Sequence, residues 1–445
     1  MKKVLVCCIA LLCIILYGCQ TETLQIDETA TTEKTTKDLE TAQKGFGYNT
    51  SASQGNELVI LYPEGTTEAD KQALRNDFNV EQYKRCECAD PYLELWIFSK
   101  GEAAGGGLEQ KKESAGAREE IEGAEYNTNI KIQEDIFIDF AGIVGTDVGL
   151  TKRVTTNQGV TIAVLDTGIM YDYPGFTTPF LYNSDQDACV NNGESELFGW
   201  NFVEDNNNPY DNHYGRHGTI VTELIKSKMD PTNVNYQILP VKVANRFGDI
   251  RNFDALCGFK YAASKPDVSI INMSFGWYSE ERELLKQFID EVENEILVVT
   301  SAGNSGVNTD NTSHYPSSYD SENIIAVAGL GYGNSSSGNN PYSPSSVVSA
   351  FNPANGNNNS LLASFSNRGQ VTVDIAAPGE HIPFAYNNEV IYIDGTSFSA
   401  AFVTGFMGSL FEPDMTASTM KATLLSDCIY NPNLYEIKYA KHIPH

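Results

Sequence analysis

From residue 159 onward the chain alternates short, almost wholly apolar runs with segments of helical period, and that alternation leaves few folds open. The runs 159–165, 238–243, 268–273, 296–299 and 324–327 are largely apolar at consecutive positions, the pattern of strands covered on both faces. Helical patterns fall between and after them, at 217–228, 253–264, 280–293, 397–411 and 416–426. Strands buried on both sides need helices on both sides. The order therefore predicts an α/β fold with a doubly wound, mostly parallel sheet and its site at the carboxyl ends of the strands. Residues 331–360, dominated by Gly, Ser, Asn and Pro, read as an insertion loop.

A shorter block with a different order precedes this one. Residues 57–62 read as a strand, and 67–78 as a helix capped by Thr67 with Asp70 three residues on. Residues 79–88 and 92–98 read as two strands around the turn Ala89-Asp90-Pro91, 108–120 as a second helix and 121–132 as a last strand. The order β-α-β-β-α-β predicts a small ferredoxin-like α+β domain, a unit that serves unrelated ends.

Met1-Lys2-Lys3 followed by the apolar run 4–16 has the form of a secretory signal, too short to span a bilayer. The run ends in Leu16-Tyr17-Gly18-Cys19, which resembles a bacterial lipoprotein processing site, although Tyr17 is bulkier than that motif usually allows. A lipidated Cys19 would be the new N-terminus and would tether the chain to a membrane surface without a transmembrane helix. The polar stretch up to residue 56 buries too little to order and reads as a tether. The expected division is a signal peptide at 1–18, a flexible tether at 19–56, the ferredoxin-like domain at 57–135, a linker at 136–158 and the large domain at 159–445. The expected location is the cell envelope, facing periplasm or exterior.

With 58 acidic against 30 basic residues the net charge is −28, which repels nucleic acid. Of nine cysteines, Cys7, Cys8 and Cys13 would leave with the signal and Cys19 would carry lipid. Cys86 and Cys88 lie in the small block, and Cys189, Cys257 and Cys428 in the large one. Three cysteines in one domain leave one unpaired, so the count predicts no disulfide framework and leaves any pairing open. The histidines lack ligand spacing beside cysteines, so no zinc site is expected.

Four segments carry chemistry. Leu165-Asp166-Thr167-Gly168 puts a carboxylate at the end of a buried strand, and His217-Gly218-Thr219 puts a histidine at the start of an amphipathic helix. Ser301-Ala302-Gly303-Asn304 follows another strand, and Gly395-Thr396-Ser397 runs into an apolar helix whose first turn offers free N–H groups to a developing oxyanion. Each alone reads as a turn or a cap. Together, in the order Asp, His, Asn, Ser, they resemble the subtilisin-like serine proteases, the subtilases. Asn201-Phe202-Val203, Ser274-Phe275-Gly276, Ala363 to Gly369 and Val373 to Gly379 look like framework segments of the same family. The resemblance spans about residues 155 to 428.

That resemblance implies a serine endopeptidase in which Ser397 is the nucleophile, His217 its general base, Asp166 the residue that orients the histidine, and Asn304 an oxyanion donor. It implies that Ser274, Phe275 and Gly276 bind extended substrate backbone, with Arg246 to Asp249 as the facing rim. Ala401 and Phe402 stand where the family usually has Pro and often His. A ferredoxin-like unit ahead of such a domain resembles the family's inhibitory propeptide, with its processing site between Ile132 and Gly149; a permanent accessory domain is the other reading. No cofactor is needed for the chemistry. Structural calcium is possible at Asp185, Asp187 and the acidic stretch from Glu204 to Asp211, whose oxygens suit that ion. Expected partners are polypeptide substrates and the chain's own propeptide, for a monomer. The rival reading is a catalytically silent peptide-binding subtilase relative.

Overall fold

A computed structural model describes residues 53–132, 159–331 and 361–444, apart from positions 177, 184–187, 192, 279 and 387–388. The signal peptide, the lipidation site, the tether as far as residue 52 and the whole linker at 136–158 lie outside the described residues, while residues 53–56 of the expected tether already belong to the first strand.

The N-terminal block has the expected element order. Strand β1 (Ser53–Leu61) leads to helix α1 (Glu68–Asp77), β2 (Gln82–Cys86), β3 (Asp90–Ile97), helix α2 (Gly107–Gly116) and β4 (Gly123–Lys131). Thr67 caps α1 through a reciprocal capping box with Asp70. The sheet is antiparallel in the order β4-β1-β3-β2. β1 is apolar on both faces, and both are used. Leu58 and Ile60 pack with Leu74, Trp96 and Leu108 on the block's own helical side. Val59 and Leu61 belong to a second core that includes Phe253, Leu256 and Leu284 of the following part.

That following part is built on strands β5 (Val160–Asp166), β6 (Trp200–Asn201), β7 (Tyr236–Lys242), β8 (Asp249–Arg251), β9 (Val268–Met273), β10 (Leu297–Ser301), β11 (Ile324–Leu330) and β12 (Ile375–Pro378). Two short C-terminal strands, β13 (Ile429–Tyr430) and β14 (Lys441–His442), extend the edge. The order is β13-β14-β12-β11-β10-β9-β5-β7-β6, parallel throughout except β13 against β14. Helices α3 (His217–Met229), α4 (Asn252–Ser264), α5 (Glu283–Glu291), α6 (Thr396–Ser409) and α7 (Ala417–Asp427) cover the sheet. From β5 the chain winds outward through β7 on one side and through β9, β10 and β11 on the other. The reversal at β5 and β9 is the crevice-forming switch point of such sheets.

The cysteine expectation is overturned. Cys86 is bonded to Cys257 and Cys88 to Cys189, with Cα–Cα separations of 5.7 and 5.5 Å, within the ordinary reach of a bridge. Counting cysteines domain by domain missed this because both bonds cross from the N-terminal block to the large one. Cys428 is left unpaired and buried, as the odd count required. Among the described residues no helix is long and apolar enough to cross a membrane.

Candidate active site

Asp166 is the last residue of β5 and is fully buried. Its Oδ1 lies 2.7 Å from His217 Nδ1 and accepts the Thr167 N–H at 2.6 Å. A carboxylate only accepts, so Nδ1 carries the proton and Nε2 is the basic nitrogen. His217 opens α3. Arg216, just before it, has left-handed backbone with φ 48° and is held by its guanidinium donating to the Asp211 carbonyl. The helix can approach β5 this closely only because glycine follows the histidine. A Cβ at Gly218 would lie 2.3 Å from Gly168 O and 3.0 Å from Asp166 Oδ1.

Ser397 sits in the first turn of α6. Its Oγ donates to Ser274 O at 3.0 Å, while Ser274 Oγ donates to Ser397 O at 2.9 Å. Asn272 Nδ2 donates to Ser274 Oγ at 2.9 Å, and Thr404 Oγ1 to Asn272 Oδ1 at 2.8 Å. A polar chain thus pins the serine turn to the end of β9. To pass a proton to a base, the Ser397 hydroxyl would have to give up its bond to Ser274, an adjustment common before substrate binds. The His217 ring stands 5.7 Å from that of Phe398, centroid to centroid.

Asn304 lies beyond the end of β10, and its Oδ1 accepts the Thr396 N–H at 2.9 Å and the Thr396 hydroxyl at 2.7 Å. This turns the amide so that its donors lie on the other side. Asn304 and Ser397 line the same pocket. The loop is braced from below by Asn367, whose Nδ2 donates to Ala302 O at 2.7 Å and whose Oδ1 accepts the Ser305 and Val307 N–H groups.

Beneath Asp166, buried Lys242 donates to the Ala244 carbonyl at 2.9 Å and Asn212 Oδ1 at 3.1 Å, and also to the Thr167 carbonyl. Asp211 binds the Thr219 N–H and hydroxyl at 3.0 and 2.7 Å. Burial pushes the Lys242 ammonium down and the Asp211 carboxyl up, and the attraction between the two opposes both shifts.

The pocket beside Ser397 has Ser274, Phe275 and Gly276 on one wall and Gly303 and Asn304 on the other. His314 closes it. A Cβ at Gly276 would lie 2.3 Å from His314 Cε1, and one at Gly303 2.9 Å from its Nε2. The ring's Nδ1 pairs with Ser317 Oγ at 2.9 Å, and burial pushes its pKa down to about 3, leaving a neutral wall.

The facing rim carries a strand. β8 pairs antiparallel with β4 of the N-terminal block, Asp249 opposite Lys131 and Arg251 opposite Asn129, and Ile132 N–H donates to Gly248 O at 2.9 Å. Lys131 lines the Ser397 pocket, and its ammonium reaches Asp249 Oδ1 at 2.9 Å. The block also supplies helix caps. Neither α4 nor α5 has a capping side chain of its own. Asn127 Oδ1 accepts the Phe253 N–H at 3.0 Å, and Glu125 Oε1 accepts the Leu284 N–H at 2.8 Å.

The four residues singled out for chemistry thus form two pairs, Asp166 with His217 at the end of β5 and the start of α3, and Asn304 with Ser397 beyond β10 and at the start of α6, linked where the His217 ring approaches Phe398. Thr396 and Asn367 lie in segments that the sequence singled out, but their contacts did not show there, and Lys242, His314 and the capping pair Glu125 and Asn127 escaped sequence reading. Only the missing caps at Arg251 and Arg282 offered a sign of the last two. In the stretch considered for calcium, Glu204 Oε2 accepts from Asn201, Asp205 from Asn191 and Trp200, and Asp211 as above. Among the described residues no three His, Cys, Asp or Glu side chains are grouped to hold a metal ion. Asp185 and Asp187 lie outside the described residues.

The profile of the Subtilase family matches residues 157–434. The chain is 30% identical over 220 residues to a cell wall-associated protease of Bacillus subtilis (strain 168), covering 48% of this chain and 21% of that protein. It is 27% identical over 293 residues to an intracellular serine protease of Paenibacillus polymyxa, covering 62% and 76%. It is also 27% identical over 287 residues to subtilisin DY of Bacillus licheniformis, covering 61% and 86%.

Proposed function

The chain belongs to the subtilase family of subtilisin-like serine endopeptidases, and from that premise we propose that it hydrolyses peptide bonds through Ser397, His217 and Asp166, with Asn304 as an oxyanion donor. The observation that carries this reading is the 2.7 Å contact of Asp166 with His217 Nδ1, with the His217 ring 5.7 Å from that of Phe398, the neighbour of the Ser397 that lines one pocket with Asn304.

Ser397 Oγ attacks the peptide carbonyl as His217 Nε2 takes its proton, giving a tetrahedral oxyanion. The Asn304 amide and the Ser397 N–H at the positive end of α6 face the charge that develops there. One such donor contributes about 10²–10³ in rate. The imidazolium, stabilised by Asp166, protonates the leaving amine. Water then repeats the sequence on the acyl-enzyme. Asp166 orients the ring, and the Lys242 ammonium places an opposite charge nearby. The chemistry uses side chains and backbone only.

In this reading the N-terminal block is an inhibitory propeptide. Its β4 occupies the rim strand that a substrate would pair with, and Lys131 reaches the Ser397 pocket. A fluorophosphonate probe tests the centre on protein whose cleft has been cleared of the block. Labelling confined to the wild type and absent from Ser397→Ala supports the protease. No labelling of folded, cleared wild type would favour a peptide-binding relative instead.

The pocket wall at His314 sets specificity by size. A neutral ring filling the space between Gly276 and Gly303 favours a small side chain ahead of the scissile bond. His314→Ala should raise the ratio of kcat/KM for Phe over Ala at that position by about tenfold or more. An unchanged ratio would remove His314 from the account.

Residues 1–19 support export with a lipid on Cys19 as the anchor. Cys19→Ala should move the protein from the membrane to the soluble fraction, and unchanged fractionation would sink the anchor.

A further inference from the structure

The two disulfides cross the one part of the chain that processing would cut. Cys86 and Cys88 lie before the linker at 136–158, and Cys257 and Cys189 lie after it, with sequence separations of 171 and 101. Any number of cuts within 136–158 therefore leaves the N-terminal block covalently joined to the rest. The bridges also hold that block where it closes the cleft. Cys86 ends β2, in the sheet that lays β4 along β8, and Cys257 lies on α4, whose first turn is capped by Asn127 of β4.

We propose that cleavage of the linker does not activate this protease, and that its inhibitor stays tethered through Cys86–Cys257 and Cys88–Cys189 until a dithiol reductant opens both bonds. This rests on the reading of Ser397 as the active centre. A tethered block sees its docking surface at an effective concentration in the millimolar range, so dilution that would clear a free inhibitor leaves this one in place. The contacts it remakes are numerous. They include Lys84 Nζ to Phe202 O at 3.0 Å, Asn252 Nδ2 to Glu125 Oε2 at 2.9 Å, and Lys260 Nζ to Asp90 Oδ2 at 3.3 Å.

Opening each bridge is a two-electron exchange. A thiolate of the reductant attacks one protein sulfur and expels the other as a thiolate, which takes a proton. The reductant's second thiol then attacks the mixed disulfide, releasing the second protein thiol and leaving the reductant as an oxidised disulfide. The two bonds differ in access. Cys86 and Cys257 are 2% and 1% exposed, whereas Cys88 and Cys189 are half-buried. The outer bridge should open first, and the inner one only as the block begins to lift.

The test uses the full chain with a site for a sequence-specific endopeptidase inserted between residues 140 and 145, so that the cut does not depend on self-processing. After cutting, the two pieces should run together on a non-reducing gel and apart on a reducing one. Peptide hydrolysis at nanomolar protein should rise by about 10²-fold or more when dithiothreitol is added. Pieces that separate without reductant, or hydrolysis equal before and after reduction, would overturn the tether. A cut variant with Cys86→Ser and Cys88→Ser should be active on dilution without reductant. If that variant hydrolyses peptides and cut wild type does so equally, the tether alone is wrong. If neither it nor reduced wild type hydrolyses peptides or takes a fluorophosphonate label, the reading of Ser397 has failed, and the tether with it. Mass spectrometry of unreduced wild-type peptides provides a check that requires no variant to fold. Recovery of the Cys86–Cys257 and Cys88–Cys189 linked pairs supports the proposal, and free thiols at these positions overturn it.

Discussion

Ser397→Ala is expected to lower kcat on a peptide substrate by about 10⁶-fold while leaving KM nearly unchanged, because nucleophile and base act as a unit and removing one leaves little for the other to do. The substitution deletes one oxygen. Its bond to the Ser274 carbonyl is lost, but the reciprocal bond from Ser274 Oγ to Ser397 O remains, as do Asn304 and its hold on Thr396. The pocket should therefore still bind peptide. The residual rate should stay about 10³–10⁴-fold above the uncatalysed reaction, since the oxyanion donors persist. Steady-state kinetics on the opened enzyme, with circular dichroism to show an unchanged fold, makes the measurement. A loss of less than about tenfold would mean that another group is the nucleophile.

Asp166→Asn should cost about 10⁴-fold in kcat. The carboxylate at 2.7 Å forces the proton onto His217 Nδ1 and leaves Nε2 basic. An amide in the same place can donate to Nδ1, which would move the ring proton to Nε2, the nitrogen that must accept from Ser397. The damage is then to the tautomer more than to the shape of the site, so KM should move little. The readout is kcat/KM together with the imidazole NMR signals of His217. A variant with its proton still on Nδ1 and near-normal activity would remove Asp166 from the proposed mechanism.

The residues meant for chemistry were legible because each sits on a short motif that a sheet of this kind delivers to one edge. Asp166 and Asn304 follow apolar strands, and His217 and Ser397 open helices. The wiring between them was not legible. The bonds from Thr404 to Asn272 and from Ser274 to Ser397 join β9 to α6 across 132 and 123 residues of sequence, so no local pattern marks the chain, although Ser274 itself lies in a segment that the sequence singles out. β8 is three residues long, too short for periodicity to show. β1 did carry a sign. Four consecutive apolar residues, Leu58 to Leu61, leave a strand of an antiparallel sheet no solvent face there, a sign of the second layer that the large part supplies. The disulfides failed for the complementary reason, since pairing across a boundary is invisible to counting within it.

β8 has one further consequence. In this structure it is the fifth strand of the N-terminal sheet, in the order β8-β4-β1-β3-β2. Were the block to leave, as the proposed propeptide role requires, both partners would acquire a bare ladder of backbone donors and acceptors at the same instant. On the enzyme that open edge is useful, because extended polypeptide can be stitched to it. On the departing block it is a hazard. β4 would be an outer strand with Ile130 and Ile132 uncovered, and such edges attract other strands indiscriminately. Under the proposed role, prompt digestion of the released block would remove that hazard, and the protease it had just uncovered would be well placed to carry it out.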